Sequence, residues 1–317
     1  MAANWMRRTV MVAACASAAL LAACGSSTTE SAITPQRFIA FGDAMSDVGQ
    51  NGSRYTVNDG SVNNWTLQVV ANYGKTLTPA SAGGTSYATG NARVSAKPDA
   101  AGNASTRTVT EQIDTFLASG SFANTDVVIV SGGVSDVIAG MAAVTAGTQT
   151  EAAMVAAARK AGEDLAAQVR RLVAAGAKYV VVTGTYDLSK SPWAKSIGRE
   201  ALLTDASSRF NEGLLVGIVD LGANVLYVDS AYYVNLYTSV PGNYGFNNAT
   251  TAVCTSVDAT NGIGIGAGKV NSALCNSSTL LSGANQAAYV FADSVYLTPS
   301  AQRQFGTYAY DRLRARW

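Results

Sequence analysis

The chain has 317 residues, of which 48% are hydrophobic, 14% are charged and none is histidine, and its formal net charge is +1. This length and apolar content suit one large α/β domain or two small ones with an ample buried core. The near-zero charge and the lack of a basic run give no support for a nucleic-acid partner. The missing histidine removes the commonest general base and metal ligand, so we expect neither a metal nor another cofactor.

The first two dozen residues have the pattern of an export signal. Arg7 and Arg8 give a positive start, residues 9–23 are apolar and rich in alanine, and small residues precede Cys24. Residues 21–24, LAAC, resemble the lipobox of bacterial lipoproteins, in which the cysteine is lipidated and becomes the new N-terminus. An ordinary secretory signal with a chance cysteine is the alternative.

The predicted organisation follows from that signal. We predict a signal peptide over residues 1–23, a lipidated flexible tether over 24–36 and a single domain over 37–317. The lipidation site is Cys24. The protein is then exported and held by its lipid in the inner or outer membrane of a bacterial cell envelope, facing the periplasm or the surface.

Residues 38–49, FIAFGDAMSDVG, begin as an apolar run and end in a glycine turn. This pattern predicts a buried strand whose turn lies at the carboxyl edge of a sheet, where open α/β sheets place their ligands. The stretch resembles the first block of the GDSL, or SGNH, esterase and lipase family, F-G-D-S-x-S-D-x-G. Ala44 stands where that family has its nucleophilic serine.

Two later turns resemble the second and third blocks of the same family. In residues 83–93, Gly90 best matches the glycine whose N–H binds the oxyanion, and a turn that merely needs glycine is the alternative. The apolar strand 126–130 leads to residues 133–136, where the family reads G-x-N-D. Asp136 matches, and Ser135 replaces the asparagine that donates to the oxyanion.

Alternating apolar strands and amphipathic helices predict a parallel sheet with helices on both faces. The family resemblance adds a fifth strand near residues 76–78. It therefore implies an SGNH-hydrolase-like, flavodoxin-like α/β/α sandwich with a mainly parallel sheet of about five strands. The predicted strands begin near Phe38, Val127, Tyr179 and Val225, and the predicted helices span 62–73, 110–118, 148–175, 198–221 and 300–314.

An insertion rich in Gly, Asn, Ser and Thr interrupts this pattern over residues 239–284. Its segment 244–248, followed by Cys254, resembles secreted bacterial GDSL lipases, including the haemolysin-like phospholipases. We expect Cys254 and Cys275 to form a disulfide, because they are the cysteines left beside Cys24 in an exported chain. The glycines of residues 262–269 do not have the spacing of a phosphate-binding loop and predict a flexible loop.

The last block lies in residues 290–299, where the family reads D-x-x-H-P-T. Asp293 matches the aspartate that orients the catalytic histidine, and Tyr296 replaces that histidine. With Ala44 at the nucleophile position, both reacting side chains of the family's triad are missing. Tyrosine, with an ordinary pKa near 10, is a poor base at neutral pH.

These substitutions predict an inactive, GDSL-like envelope lipoprotein that keeps a cleft for a lipid, an acyl ester or another ligand. The alternative is an esterase, lipase or phospholipase that hydrolyses acyl esters with rearranged catalytic residues. A purely structural role in the envelope is a third hypothesis. The candidate nucleophiles of the alternative enzyme are Ser46 and Ser135, and its candidate assisting carboxylates are Asp43, Asp136 and Asp293.

Overall fold

The computed structural model describes residues 33–317, so the predicted signal peptide and the lipidation site at Cys24 lie outside the described residues. The helices are α1 (Trp65–Asn72), α2 (Val109–Ser119), α3 (Val134–Thr145), α4 (Glu151–Ala174), α5 (Pro192–Ile197), α6 (Glu200–Gly217), α7 (Ser230–Ser239) and α8 (Pro299–Arg316). The strands are β1 (Arg37–Phe41), β2 (Asp126–Ser131), β3 (Tyr179–Thr183), β4 (Val225–Tyr227), β5 (Asn248–Ala252), β6 (Val257–Asp258), β7 (Lys269–Val270) and β8 (Tyr289–Phe291).

Strands β1 to β4 form a parallel sheet in the order β1-β2-β3-β4. All four begin at or within one residue of the predicted positions. Every residue of β2 is buried, as expected for a parallel strand that is covered on both faces. The continuous apolar runs that predicted these strands follow from that double burial.

Alternate side chains of the sheet enter two separate hydrophobic cores. On one face, Ile39 and Val128 pack with residues of α2, α3, α4 and α6. On the other face, Phe38 and Val127 pack with residues of α1 and α8. The predicted three-layer α/β/α architecture is therefore confirmed.

The expected fifth strand near residues 76–78 is wrong. Ser86 instead forms a one-residue parallel bridge to Ala40, with Ala40 N–H donating to Thr85 O (3.1 Å) and Tyr87 N–H donating to Ala40 O (2.7 Å). Pro79 forms a second one-residue parallel bridge to Ser86. The main sheet formed by the described residues has four strands.

Helix α2 begins earlier than its sequence suggested. Its N-cap is Thr108 rather than Thr110, and a capping box joins Thr108 to Glu111. Helices α3, α5 and α7 were not predicted at all. Among the described residues, no helix combines the length and apolar content needed to cross a bilayer.

The insertion contains the short strands β5, β6 and β7. Strand β5 pairs in parallel with β8, while β6 and β7 form a small antiparallel pair. The expected disulfide between Cys254 and Cys275 is present, with the two Cα atoms 5.9 Å apart. The pairing of β5 with β8 joins the insertion to the strand that precedes Asp293.

Candidate functional site

The turn after β1 is fixed by close contacts with two neighbouring elements. A Cβ on Gly42 would lie 2.2 Å from Ser131 Oγ, so only glycine fits against the end of β2. The Gly42 N–H donates to Gln112 Oε1 and its carbonyl accepts from Gln112 Nε2, both at 2.9 Å. Helix α2 therefore holds the turn by its backbone and places the next two residues.

Ala44 presents a methyl group at this turn and is only 1% exposed. The neighbouring Asp43 is fully buried, and its Oδ1 accepts from the Met45 N–H at 3.1 Å. Asp43 Oδ2 has no hydrogen-bond partner. Burial, with a smaller contribution from the charge of Asp136, raises the pKa of Asp43 to about 7.

The first turn of α3 brings Ser135 and Asp136 beside Asp43. The Ser135 backbone lies close enough to Asp43 to lower the pKa of that carboxyl, while Ser135 Oγ is buried without a hydrogen-bond partner. Asp136 accepts from the Val94 N–H at 3.1 Å and lies 3.6 Å from the Arg93 guanidinium. Burial raises the pKa of Asp136 to about 6, against the opposing charge of Arg93.

Asp293 uses its carboxylate to hold the backbone rather than a neighbouring side chain. Its Oδ1 accepts from the Val295 and Tyr296 N–H groups at 2.7 Å, and its Oδ2 accepts from the Ser272 N–H at 3.0 Å. The Tyr296 hydroxyl is buried and has no hydrogen-bond partner. Burial, and then the charge of the nearby Asp43, raise the pKa of Tyr296 well above its ordinary value.

Gly90 lies in the predicted loop, but its N–H is already engaged. It donates to Asp47 Oδ2 at 2.7 Å, and Asp47 Oδ1 accepts from Gly49 and Gln50. Asp47 is thus the acceptor of this N–H in the structure, and its donation to an oxyanion stays a prediction. The sequence prediction gave Asp47 no role, although it matches the second aspartate of the family's first block.

Tyr55 covers the space between Gly90 and Tyr296. A Cβ on Gly90 would lie 2.0 Å from the Tyr55 hydroxyl, and the rings of Tyr55 and Tyr296 pack edge to face with centroids 5.4 Å apart. No motif in the sequence pointed to Tyr55. A tyrosine outside the four blocks gives no signal of its contacts until the chain is folded.

The glycine-rich part of the insertion closes the site from another side. Ile263 is 1% exposed and packs in the same core cluster as Ala44 and Tyr296. Asn91 Nδ2 donates to Gly262 O at 2.8 Å. A Cβ on Gly264 would lie 2.4 Å from Ala100 O. The stretch predicted as a flexible loop is irregular, but these contacts hold it against the domain.

The residues at the catalytic positions are buried in this structure. Ala44, Ser135 and Tyr296 are each at most 1% exposed. The ring of Tyr55 packs against that of Tyr296. Residue 44 therefore presents almost no surface to solvent in this arrangement.

The four blocks thus come together at one sheet edge, as their order in the chain predicted. A family model described as GDSL-like Lipase/Acylhydrolase matches residues 38–308. The chain belongs to the GDSL-like lipase/acylhydrolase family. No curated protein matches it. One solved structure aligns with a TM-score of 0.44 and 13% identity, covering 89% of this chain and 98% of that chain.

In this GDSL-like chain the serine nearest to residue 44 is committed to structural contacts. Ser46 is fully buried, and its Oγ lies 2.7 Å from Ser131 Oγ. It also accepts from Trp65 Nε1 at 3.1 Å. Neither partner can remove a proton from a hydroxyl, so Ser46 has no base.

A separate cavity of about 540 Å³ lies on the other side of Gln112, at the sheet edge beside β1. Its lining combines one tyrosine ring with hydroxyls, amides, glycine backbone and a guanidinium, and it contains no carboxylate. It is the largest of the cavities described for this GDSL-like domain. Its lining includes Gln50, Asn51, Tyr87, Asn103, Arg107 and Gln112.

Proposed function

We propose that this GDSL-like chain is a catalytically inactive envelope lipoprotein that acts by binding. The observation that carries the proposal is the buried methyl group of Ala44 at the nucleophile position. Acyl transfer in this family requires a nucleophile, a base and donors for the oxyanion. Ala44 has no atom that can attack a carbonyl carbon.

The surroundings of residue 44 also lack a base. Burial and the charge of Asp43 keep the Tyr296 hydroxyl protonated, so it cannot accept a proton at neutral pH. Both oxygens of Asp293 accept backbone N–H groups. The two donors expected for an oxyanion are weakened as well. The Gly90 N–H already donates to Asp47, and the Ser135 hydroxyl reaches less far than the asparagine amide that it replaces.

The contacts do not favour the alternative of a hydrolase with rearranged residues. Ser46 is bonded to Ser131 and Trp65, and Ser135 Oγ has no partner of any kind. Asp43 is half protonated near neutral pH and is sealed from solvent. No serine in this group is paired with a base in the geometry that activates a nucleophile.

The inactive assignment is tested with a short-chain nitrophenyl ester and a fluorophosphonate probe that labels reactive serines. We expect no turnover above the rate of the heat-denatured protein and no covalent labelling. Ser46→Ala and Ser135→Ala should be indistinguishable from the wild type. Wild-type turnover that either variant abolishes would establish the alternative hydrolase instead.

A ligand of this protein would bind in the cavity beside Gln112 rather than beside Ala44. One aromatic ring among amides and hydroxyls suits a neutral, hydroxyl-rich ligand such as a glycan. The probe is a chito-oligosaccharide titrated into the protein. We expect saturable binding that Tyr87→Ala weakens and that Tyr232→Ala, on an exposed tyrosine outside the cavity, leaves unchanged. Equal binding by both variants would reject the cavity.

A further inference from the structure

The sheet edge at which the four parallel strands begin carries a basic surface. Lys178 directly precedes β3, Lys75 Nζ donates to Gln36 Oε1 beside β1, and Arg316 donates to Gly222 O before β4. We call this the amino-end surface. Two of its basic side chains, Lys178 and Arg312, are exposed. The amino-end surface comprises Lys75, Lys178, Arg312, Arg314, Arg316, Tyr73, Tyr179, Tyr310 and Trp317.

Three acidic side chains near the amino-end surface form ion pairs with arginines. Asp126 is buried against Arg37, and Asp114 and Asp220 pair with arginines of α4. The opposite edge of the sheet is rich in carboxylates instead. Most of them are buried, and Arg93 lies 3.6 Å from Asp136. The carboxylates that follow the strands at the opposite edge are Asp43, Asp47, Asp136, Asp187, Asp229 and Asp293.

Aromatic rings accompany the basic groups on the amino-end surface. Tyr179 and Trp317 pack edge to face with centroids 5.1 Å apart, and Tyr73 and Tyr310 do so at 4.9 Å. The Arg314 guanidinium lies 5.4 Å from the Tyr310 ring centre. All four rings are half-buried. Tyrosine, tryptophan and arginine together are typical of surfaces that meet lipid headgroups.

The chain reaches the domain at this same surface. Ile33, the first described residue, packs in the core cluster that also contains Tyr73, Tyr179 and Trp317. Cys24 lies nine residues earlier in the sequence. A segment of nine residues spans at most about 30 Å when extended, so a lipid on Cys24 would keep this surface close to the bilayer.

We propose that the amino-end surface docks on an anionic lipid bilayer, with the carboxyl ends of the strands and the cavity beside Gln112 pointing away. This inference rests on the lipid anchor of the proposed function. Attraction between the basic groups and anionic headgroups supplies the orientation, and it weakens with salt.

The test is a lysine-acylation footprint of the full chain on vesicles, read by mass spectrometry. The vesicles are phosphatidylcholine with or without a one-third share of phosphatidylglycerol. We expect labelling of Lys75 and Lys178 to fall several-fold on the anionic vesicles, and labelling of Lys195 and Lys269 to stay unchanged. Equal labelling of all four lysines on both kinds of vesicle would overturn the proposal.

A charge-reversal pair separates orientation from general attraction. Lys178→Glu combined with Arg312→Glu should abolish the protection and weaken salt-sensitive vesicle binding about fivefold for each charge removed. Lys195→Glu combined with Lys269→Glu makes the same change in net charge at exposed positions elsewhere and should preserve the footprint. Identical loss in both pairs would show non-specific attraction and reject the surface.

The lipid anchor and the docking of the amino-end surface are separate proposals, and different results would reject each of them. If the intact mass of the exported protein lacks a lipid, the anchor is wrong, and flotation with anionic vesicles at low salt still tests the amino-end surface. If the lipid is present but the footprint is uniform, the anchor stands and the surface is rejected.

Discussion

The residues that this chain shares with its family are those whose side chains bind the backbone. Asp47 accepts from three N–H groups, including that of Gly90, and Asp293 also accepts from three. Of the positions that differ, Ala44 and Tyr296 stand where the family has its two reacting side chains, and Ser135 stands where it has an oxyanion donor. Removing a carboxylate that holds three donors would leave those N–H groups unpaired. The chain therefore keeps the family's carboxylates that bind the backbone and lacks the side chains that react.

The inactivity that we propose has two parts, the missing reacting side chains at residues 44 and 296 and the burial of these residues, and each can be tested separately. Ala44→Ser alone lacks a base and Tyr296→His alone lacks a nucleophile, so each should show negligible kcat/KM on a nitrophenyl ester. The two together should exceed the product of the single effects, by roughly 10² or more. Adding Tyr55→Ala should raise kcat/KM again, because it opens the space above residue 296.

Two outcomes would contradict this account. A single variant as active as the double would mean that the protein already contains the missing partner. A triple variant that folds but gains nothing over the double would show that Tyr55 does not block access.

Asp43 makes the stability of the protein depend on pH in an unusual direction. Its pKa is about 7 in the folded chain and 3.8 when unperturbed, so the folded state holds an extra proton between these values. Its contribution is fully present below about pH 4 and is lost as the pH rises towards 7, by up to about 4 kcal/mol. Asp43→Asn should flatten this part of the profile in urea unfolding from pH 4 to pH 8. An unchanged slope would mean that Asp43 is not protonated in the folded protein.

At the residue scale the structure brings Ala44, Ser135, Asp293 and Tyr296 to one sheet edge, and the roles that the sequence assigned to these positions stay predictions. Each follows a strong apolar strand or a motif, so its place in the fold was readable. The state of Gly90 was not, because the choice between an oxyanion and Asp47 as acceptor depends on side-chain geometry. The burial of the whole group depends on contacts between segments distant in sequence.

Among the elements, the parallel strands were predictable, because a strand that is buried on both faces requires an uninterrupted run of apolar residues. The fifth strand was not, since a one-residue bridge at Ser86 leaves no run in the sequence. Helix α3 was not predicted, because its first residues coincide with the family's third block and were interpreted as a turn. The glycine-rich stretch 262–268 lacked any regular pattern, although it proves to be packed.

That glycine-rich stretch contains a matched pair of positions. Gly264 has φ +87° and no room for a Cβ beside Ala100, whereas Gly266 has φ +110° and open space around it. Both alanine substitutions strain the backbone, by about 1 kcal/mol, and only Gly264→Ala adds a clash. We expect Gly264→Ala to lower the melting temperature by several degrees more and to speed amide exchange across 261–266. Equal effects would mean that this stretch does not press against the domain.

The disulfide should stabilise the insertion and the segment around Asp293. Closing the 21-residue separation between Cys254 and Cys275 contributes about 3 kcal/mol in the chain-entropy model. The double Cys→Ser variant should unfold at lower urea, and the reduced wild type should behave like it. Two free thiols in the freshly exported protein, measured by mass spectrometry without reductant, would contradict the pairing.

On the scale of the whole molecule, the docking that we propose for the amino-end surface gives the domain a membrane side and a free side. The free side is the one that carries the family's four blocks. Cys24→Ser should remove the lipid mass and move the protein out of the membrane pellet, because lipidation at Cys24 is the proposed anchor. A variant that stays in the pellet with an unchanged mass would contradict the lipobox prediction.

The edge-to-face contact of Tyr55 with Tyr296 has a consequence for evolution. A histidine at residue 296 is smaller than tyrosine, so that reversion alone leaves a void beneath Tyr55 and costs stability. A serine at residue 44 alone has no base, so it brings no benefit that selection could favour. In the inactive protein that we propose, neither single change restores activity, and the change at residue 296 also costs stability. Hydrolysis would return only if both residues changed together.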